Sequence, residues 1–247
     1  MRYTNPLHKL AGKEVFCQNG RIPTLRNHSV SDFYSKQHRQ LQDQHETRNL
    51  ADRVQQIIVE NQVSEQHQPF IESRDFFFLT TVDHRGYPTC SYKGGNPGLV
   101  RVLDPQTLAF PSYDGNGMFL SMGNIQGNTK IGMLFIDFET PHRVRVHGDA
   151  LIQADDPLLA EFPGADLMVR VNISEVFYNC PRYVHRMSRV ESSKYVPQEG
   201  RATPPPQWKR INAIQDVLPA CDRGVAENLG GIITPEEYAA MLMNREA

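Results

Sequence analysis

Two basic residues, Lys93 and Arg101, stand within a glycine-rich stretch of short apolar segments. Two glycines follow Lys93 in the run SYKGG, and Arg101 lies in the run GLVRV. Ammonium, guanidinium and hydroxyl groups bind phosphate oxygens, and glycine lets a ligand approach the backbone closely. These residue types therefore indicate a site for a phosphate-bearing ligand. Ordinary solvated charges at the ends of strands are the alternative explanation.

The elements that must position these residues are short strands separated by turns, which is typical of an antiparallel, closed sheet. Alternating and apolar runs predict strands over residues 76–82, 89–92, 99–103, 107–110, 131–138, 143–152 and 167–178. Helical spacing predicts a helix between residues 31 and 63 and another over residues 235–244, with Thr234 as its cap. A single helical turn is expected within residues 118–125.

A resemblance to a known family rests on several strings that occur in order. They are SYKGG, NPGLVRVLD, TLAFPSYDGNGMFLSMGNI, IGMLFIDFETPHRVRVHG and CPRYVHR. From residue 76 to about residue 186 the chain resembles the flavin-binding split barrels related to pyridoxamine 5'-phosphate oxidase. The resemblance implies a mainly β fold, a split barrel with flanking helices, that binds FMN. It also implies a homodimer with FMN at the subunit interface.

The resemblance assigns the FMN phosphate to Lys93 and Arg101, with Arg101 at a position where the oxidase has a lysine. Ser91 and Ser121 are the hydroxyl candidates for the same group. Candidates for contact with the flavin ring are Tyr92, Asn116, Met118 and Asn124. Turn formation or core packing explains each of these four residues equally well, because asparagine also favours turns.

The substrate is expected to meet residues that follow the last strand. By resemblance, Arg182 and His185 are the candidates for binding it, and a surface ion-pair cluster with Glu175 or Glu191 is the equal alternative. The Trp-Arg-Leu-x-Pro end of the oxidase is missing here, as are two cations of its crossing turn. Pyridoxamine phosphate is therefore not the expected substrate.

Two functions of different classes follow from the resemblance. The first is an FMN-dependent oxidoreductase acting on an unknown small, anionic substrate. The alternative is a non-catalytic flavin- or haem-related binding protein, because split barrels also serve as carriers and sensors. No local signature of a nucleophilic triad, a dinucleotide fold or a P-loop is present.

Composition excludes several other classes of function. The formal charge of -2 and a pI near 6.5 argue against a nucleic-acid partner. No apolar run approaches the roughly 20 residues that a membrane span needs, so no membrane partner is expected. The four cysteines form no C-x-x-C pair, which predicts no metal site and favours buried free thiols in a cytoplasmic protein.

The expected domain organisation has three parts. Residues 1–66 form an N-terminal arm and helix, and the first 28 residues are predicted to be an extended arm. Residues 67–190 form the FMN-binding barrel. Residues 191–247 form a proline-containing C-terminal tail with a short helix.

Overall fold

The computed structural model describes residues 33–246. These residues divide into two compact units at the step from Arg53 to Val54. The predicted N-terminal arm, residues 1–28, lies outside the described residues, and so does Cys17.

Two helices, α1 (Lys36–Gln44) and α2 (Arg48–Ile58), occupy most of the stretch that the sequence predicts as one helix. The prediction of a single helix is wrong because Glu46 adopts a left-handed conformation with φ of 56°. An α-helix of L-residues cannot continue through that conformation, so the chain turns between the two helices.

Eight strands follow, and they include all seven that the sequence predicts, with limits that differ by a few residues. They are β1 (Val59–Glu60), β2 (Phe76–Val82), β3 (Pro88–Gly94), β4 (Arg101–Asp104), β5 (Thr107–Tyr113), β6 (Lys130–Asp137), β7 (His142–Gln153) and β8 (Ala165–Asn179). Helix α3 (His67–Glu72) precedes β2, and α4 (Leu120–Gly127) connects β5 to β6. The predicted single turn before β6 is therefore a helix of eight residues.

All eight strands belong to one sheet whose pairs are antiparallel. The order is β3-β2-β6-β7-β8-β5-β4, and β1 pairs with the far end of β8. β3 and β4 are consecutive in the chain but stand at opposite ends of this order, so the sheet is split between them. The expected mainly β architecture with flanking helices is confirmed.

Alternate residues of the strands form one apolar core. In β2 the buried side chains are Phe77, Leu79 and Thr81, and partly exposed residues lie between them. Phe77 contacts Phe110 of β5 and Phe135 of β6, with ring centroids 5.0 and 5.6 Å apart. Each buried side chain of this size contributes about 1.5–3 kcal/mol relative to exposure, so these rings fix β2, β5 and β6 to one another across the core.

A C-terminal module, residues 207–243, follows β8 after an extended stretch. It contains 3₁₀ helices at Gln207–Arg210, Asn212–Val217 and Ala220–Asp222, then α5 (Val225–Asn228) and α6 (Pro235–Met243). Thr234 caps α6 by accepting a hydrogen bond from the Glu237 backbone N–H, which confirms the predicted cap. Leu218, Ala226 and Ile233 are buried, so the predicted tail contains a small folded structure.

The expectation of buried thiols is wrong for Cys90, Cys180 and Cys221, which are all exposed. Cys90 lies on the outward face of edge strand β3, and Cys180 directly follows β8. Neither position is covered by another strand in the described part of the chain. None of the helices within residues 33–246 is both long and apolar enough to cross a lipid bilayer.

Helix α3 is fixed to the sheet by His67, whose side chain is fully buried. The imidazole stacks on Tyr178 with ring centroids 4.5 Å apart, and its Nδ1 lies 2.9 Å from the Ser64 hydroxyl. Its Nε2 has no hydrogen-bond partner among the described residues. Burial, assisted by His142, lowers the pKa of His67 to about 4. His67 is therefore neutral at pH 7.

We expect His67 to make the free energy of unfolding depend on pH between about 6.5 and 4. The unfolded chain binds a proton at the ordinary pKa of His67, whereas the folded protein binds it only near pH 4, so acid favours unfolding. Between pH 7 and pH 5 the loss is about 2 kcal/mol. Urea unfolding of the wild-type protein and of His67→Asn at pH 7 and pH 5 measures this loss. If both proteins lose the same free energy of unfolding, His67 is not its source.

Candidate functional site

A cleft of about 400 Å³ lies beside the split in the sheet. Its floor and sides come from the end of β3 (Tyr92, Lys93, Gly94), from the end of β5 (Pro111, Ser112, Tyr113) and from the loop that follows β5 (Asp114, Gly115). This volume falls within the range of about 300–1,000 Å³ that is typical of small-molecule sites.

The link between β3 and β4, residues 95–100, is held in place by the end of α3. The Gly98 N–H donates to the Glu72 carbonyl at 2.7 Å, and the Gly95 N–H donates to the Asp75 carbonyl at 2.7 Å. The Glu72 carboxylate also accepts from the Val102 N–H at 3.1 Å. These bonds satisfy the backbone of a segment that has no strand partner, and they fix one border of the cleft.

Lys93 is the cation of the cleft whose side chain has no partner among residues 33–246. Its side chain is partly buried, and burial lowers the pKa of its ammonium group. Within residues 33–246 it makes neither an ion pair nor a hydrogen bond. A partly buried ammonium group loses part of its hydration, and a bound anion would compensate for that loss.

Gly94 and Gly95 bring the backbone close to two side chains of the cleft. A Cβ atom at Gly94 would lie 2.7 Å from Cε1 of Tyr92, and one at Gly95 would lie 2.7 Å from Cδ1 of Leu99. Tyr92 is fixed from its other side by Phe76, whose ring stacks on it at 5.3 Å. Larger residues at the two glycines would therefore displace side chains that line the cleft.

Ser91 and Ser121 meet each other. Their hydroxyl oxygens are 3.1 Å apart, and this contact joins β3 to α4. Ser121 is buried, and its neighbour Met122 lines the cleft, whereas neither serine does. The pair therefore positions α4 at the edge of the cleft in the described structure.

The three remaining candidates for contact with the flavin ring do not line the cleft. The Asn116 side-chain oxygen accepts from the Met118 N–H at 3.1 Å in an exposed turn. The Asn124 amide donates to the hydroxyls of Thr81 and Thr89 at 3.0 and 3.2 Å, and so connects α4 with β2 and β3. These side chains therefore make turn and packing contacts.

A wall segment, residues 189–197, closes another side of the cleft. Arg189 at its start forms an ion pair with Asp75, which also lines the cleft. At its end the Asn96 amide donates to the Pro197 carbonyl at 3.2 Å. The wall segment therefore lies across the cleft and is fixed at both of its ends.

Arg101, Arg182 and His185 lie away from this cleft. The Arg101 guanidinium is 5.6 Å from the ring centroid of Phe162 and 3.8 Å from the carboxylate of Glu161. Arg182 and His185 are exposed and precede the wall segment. Of the ten candidate residues predicted from the sequence, Tyr92 and Lys93 line the cleft.

Several residues of the cleft were not predicted. Asp75, Tyr113, Asp114, Arg189 and Tyr195 all line it. Arg189 ends the cation-dense run of residues 179–189, which was the one available signal in the sequence. Its partner Asp75 is 114 positions away, and no local pattern reports a contact over such a separation.

The charges of the cleft are largely paired within the protein. Arg189 balances Asp75, and Lys209 of the C-terminal module lies 3.0 Å from Asp114. Glu191 is exposed on the wall segment, where water screens its charge. Within the described residues no group of three His, Cys, Asp or Glu side chains is arranged to hold a metal ion. The arrangement suits a small organic ligand with an anionic group.

Comparison with known proteins gives matches among solved structures, whereas no curated protein matches the chain. A candidate pyridoxamine 5'-phosphate oxidase from Lactobacillus delbrueckii is 27% identical, with a TM-score of 0.40; the match covers 48% of this chain and 95% of that one. HupZ of Group A Streptococcus is 18% identical, with a TM-score of 0.40 and coverage of 51% and 99%. An FMN-binding protein from Syntrophomonas wolfei is 10% identical, with a TM-score of 0.36 and coverage of 56% and 96%.

The family model described as pyridoxamine 5'-phosphate oxidase matches residues 63–191. This range begins just before α3 and ends in the wall segment, so it contains the whole sheet except β1. It spans 129 of the 247 residues. The protein therefore belongs to the split-barrel family related to pyridoxamine 5'-phosphate oxidase.

Proposed function

We propose that this protein is an FMN-dependent oxidoreductase of the pyridoxamine 5'-phosphate oxidase-like type that acts on a small anionic substrate. The observation that carries the proposal is Lys93, a partly buried ammonium group without an ion-pair or hydrogen-bond partner in the described residues. A phosphate group is the kind of ligand that such a site binds through charge-assisted hydrogen bonds. Because the protein belongs to this family, we propose FMN as the phosphate-bearing ligand.

The residues present fit this cofactor. Lys93 would hold the phosphate, and Gly94 and Gly95 let Tyr92 and Leu99 pack closely on the backbone beside it, which keeps the shape of the cleft. Tyr92, supported by Phe76, offers a flat apolar surface to a ring system. A bound flavin would supply electron transfer, while the chain binds and orients it and the wall segment excludes water.

We further propose that the protein is a homodimer with FMN between the subunits. Three consecutive apolar side chains, Met118, Phe119 and Leu120, are more than half exposed at the start of α4. Tyr92 at the cleft is exposed to a similar extent, at 62%. A partner subunit would cover apolar surface of this kind. In that assembly Arg182 and His185 are proposed to face the substrate.

The proposal is tested by the absorbance spectrum of the purified protein with and without added FMN, followed by mass identification of the released ligand. A flavin spectrum that remains after desalting supports it. A colourless protein that takes up no FMN would overturn it. If FMN binds but no electron donor reduces it and no acceptor reoxidises it above the rate of free flavin, the protein is the non-catalytic binding protein.

Replacement of Lys93 by alanine should weaken FMN binding by about 1.5–3 kcal/mol, because a charge-assisted bond to phosphate is lost. Fluorescence titration of FMN measures the change, and Lys130→Ala, on an exposed lysine paired with Asp149, is the control. Arg101→Ala is the second arm. If Arg101→Ala weakens FMN binding as much as Lys93→Ala does, Arg101 also binds the phosphate. If the affinity is unchanged, Lys93 alone binds it.

Dilution of the loaded protein should release FMN as the subunits separate, because each site would be incomplete without the partner. Light scattering together with flavin fluorescence follows both events over a range of protein concentrations. A monomeric mass with FMN still bound would refute the shared site.

Replacement of Arg182 and His185 should lower turnover while FMN affinity stays unchanged, because these residues are assigned to the substrate alone. Arg182→Ala and His185→Ala are titrated with FMN and then assayed for flavin reduction and reoxidation. A fall in FMN affinity would show that the assignment is wrong.

A further inference from the structure

Lys209 is a buried lysine of the C-terminal module that contacts the cleft through another residue. Its side chain is only 6% exposed. Its ammonium group lies 2.8 Å from the Asp222 carboxylate and 3.0 Å from the Asp114 carboxylate. Burial alone would lower the pKa of Lys209, but the hydrogen bonds with Asp222 and Asp114 outweigh burial and raise it. Lys209 is therefore a fixed positive charge between two carboxylates.

The two carboxylates belong to different parts of the chain. Asp222 lies in the same module as Lys209, in the 3₁₀ helix Ala220–Asp222. Asp114 lies in the loop after β5 and lines the cleft. The Lys209 backbone is fixed as well, because its carbonyl accepts from the Gln215 amide at 2.9 Å. Lys209 therefore fastens a border of the cleft to a folded part of the chain that lies outside the family match.

The charge of Asp114 matters because Lys93 needs an anion. Asp114 and Lys93 line the same cleft, so an unbalanced carboxylate there would repel a phosphate group and weaken its binding. The side chain of Asp114 is 69% exposed, and a surface loop with so little cover can place that carboxylate in several positions. The contact with Lys209 both selects one position and supplies the opposite charge.

We propose that Lys209 is a positioning residue of the cleft, which holds Asp114 and offsets its charge so that the cleft accepts a phosphorylated ligand. The inference rests on the proposed function and adds to it a role for the C-terminal module. Selectivity for the phosphorylated over the phosphate-free form of a ligand then depends on a residue that does not touch the ligand. A residue that served stability alone would affect both forms of the ligand equally.

The test compares FMN with riboflavin, which carries the same ring and no phosphate. Lys209→Met should raise the Kd of FMN about three- to tenfold and leave that of riboflavin within about twofold of the wild type. Only FMN carries a phosphate that the unpaired Asp114 carboxylate repels. Asp114→Asn should lower the Kd of FMN by about twofold. The double variant should return FMN to within about twofold of the wild type, because the repelling charge has gone. Lys130→Met is the matched control.

Thermal unfolding of each variant separates binding from folding. If Lys209→Met does not fold, Asp114→Asn decides the question on its own, because the substituted amide keeps an oxygen that accepts from Lys209. A raised Kd for FMN in Asp114→Asn, or equal losses of FMN and riboflavin in Lys209→Met, would overturn the inference and leave the proposed function standing. A wild-type protein that binds neither flavin would overturn the proposed function, and this inference with it.

Discussion

The candidate site of this protein depends on a sheet that does not close between β3 and β4. Edge strands carry unpaired backbone groups, which must find partners elsewhere. Here the carbonyls of Glu72 and Asp75 accept from N–H groups of the link of residues 95–100, and the Glu72 carboxylate accepts from the Val102 N–H of β4. The split is thereby held open with its backbone satisfied, and a cleft forms beside it. His67 fixes α3 to the sheet, so a buried histidine indirectly supports the border of the cleft.

Charge pairing determines what such a cleft can attract. Ion pairs of Asp75 with Arg189 and of Asp114 with Lys209 compensate two carboxylates that would otherwise face the ligand. Lys93 is left without a partner in the described part of the chain. The cleft contains several acidic residues. It can still accept an anionic ligand because Arg189 of the wall segment and Lys209 of the C-terminal module pair with two of them.

The sequence predicted the fold well because its signals are local. Alternation within β2 and β7 and turn residues between the strands require no knowledge of distant contacts. The location of Lys93 at the cleft could also be predicted, because this residue stands beside two glycines at a strand end. The roles of Arg189 and Lys209 could not be predicted, because each forms an ion pair with an aspartate far away in the chain. Arg101 shows the same limit: its place in a strand was predictable, but its contact with Phe162 depends on packing of the chain after β7.

The wall segment and Lys209 follow the last strand of the barrel in the chain. A ribosome releases a chain from its N-terminus onwards, and folding domains begin to assemble during synthesis. The barrel strands are therefore available before the residues that complete the cleft have been made. A nascent chain halted after β8 would carry Lys93 without its enclosing wall, so the cleft is complete only after residues 189–209 have been made.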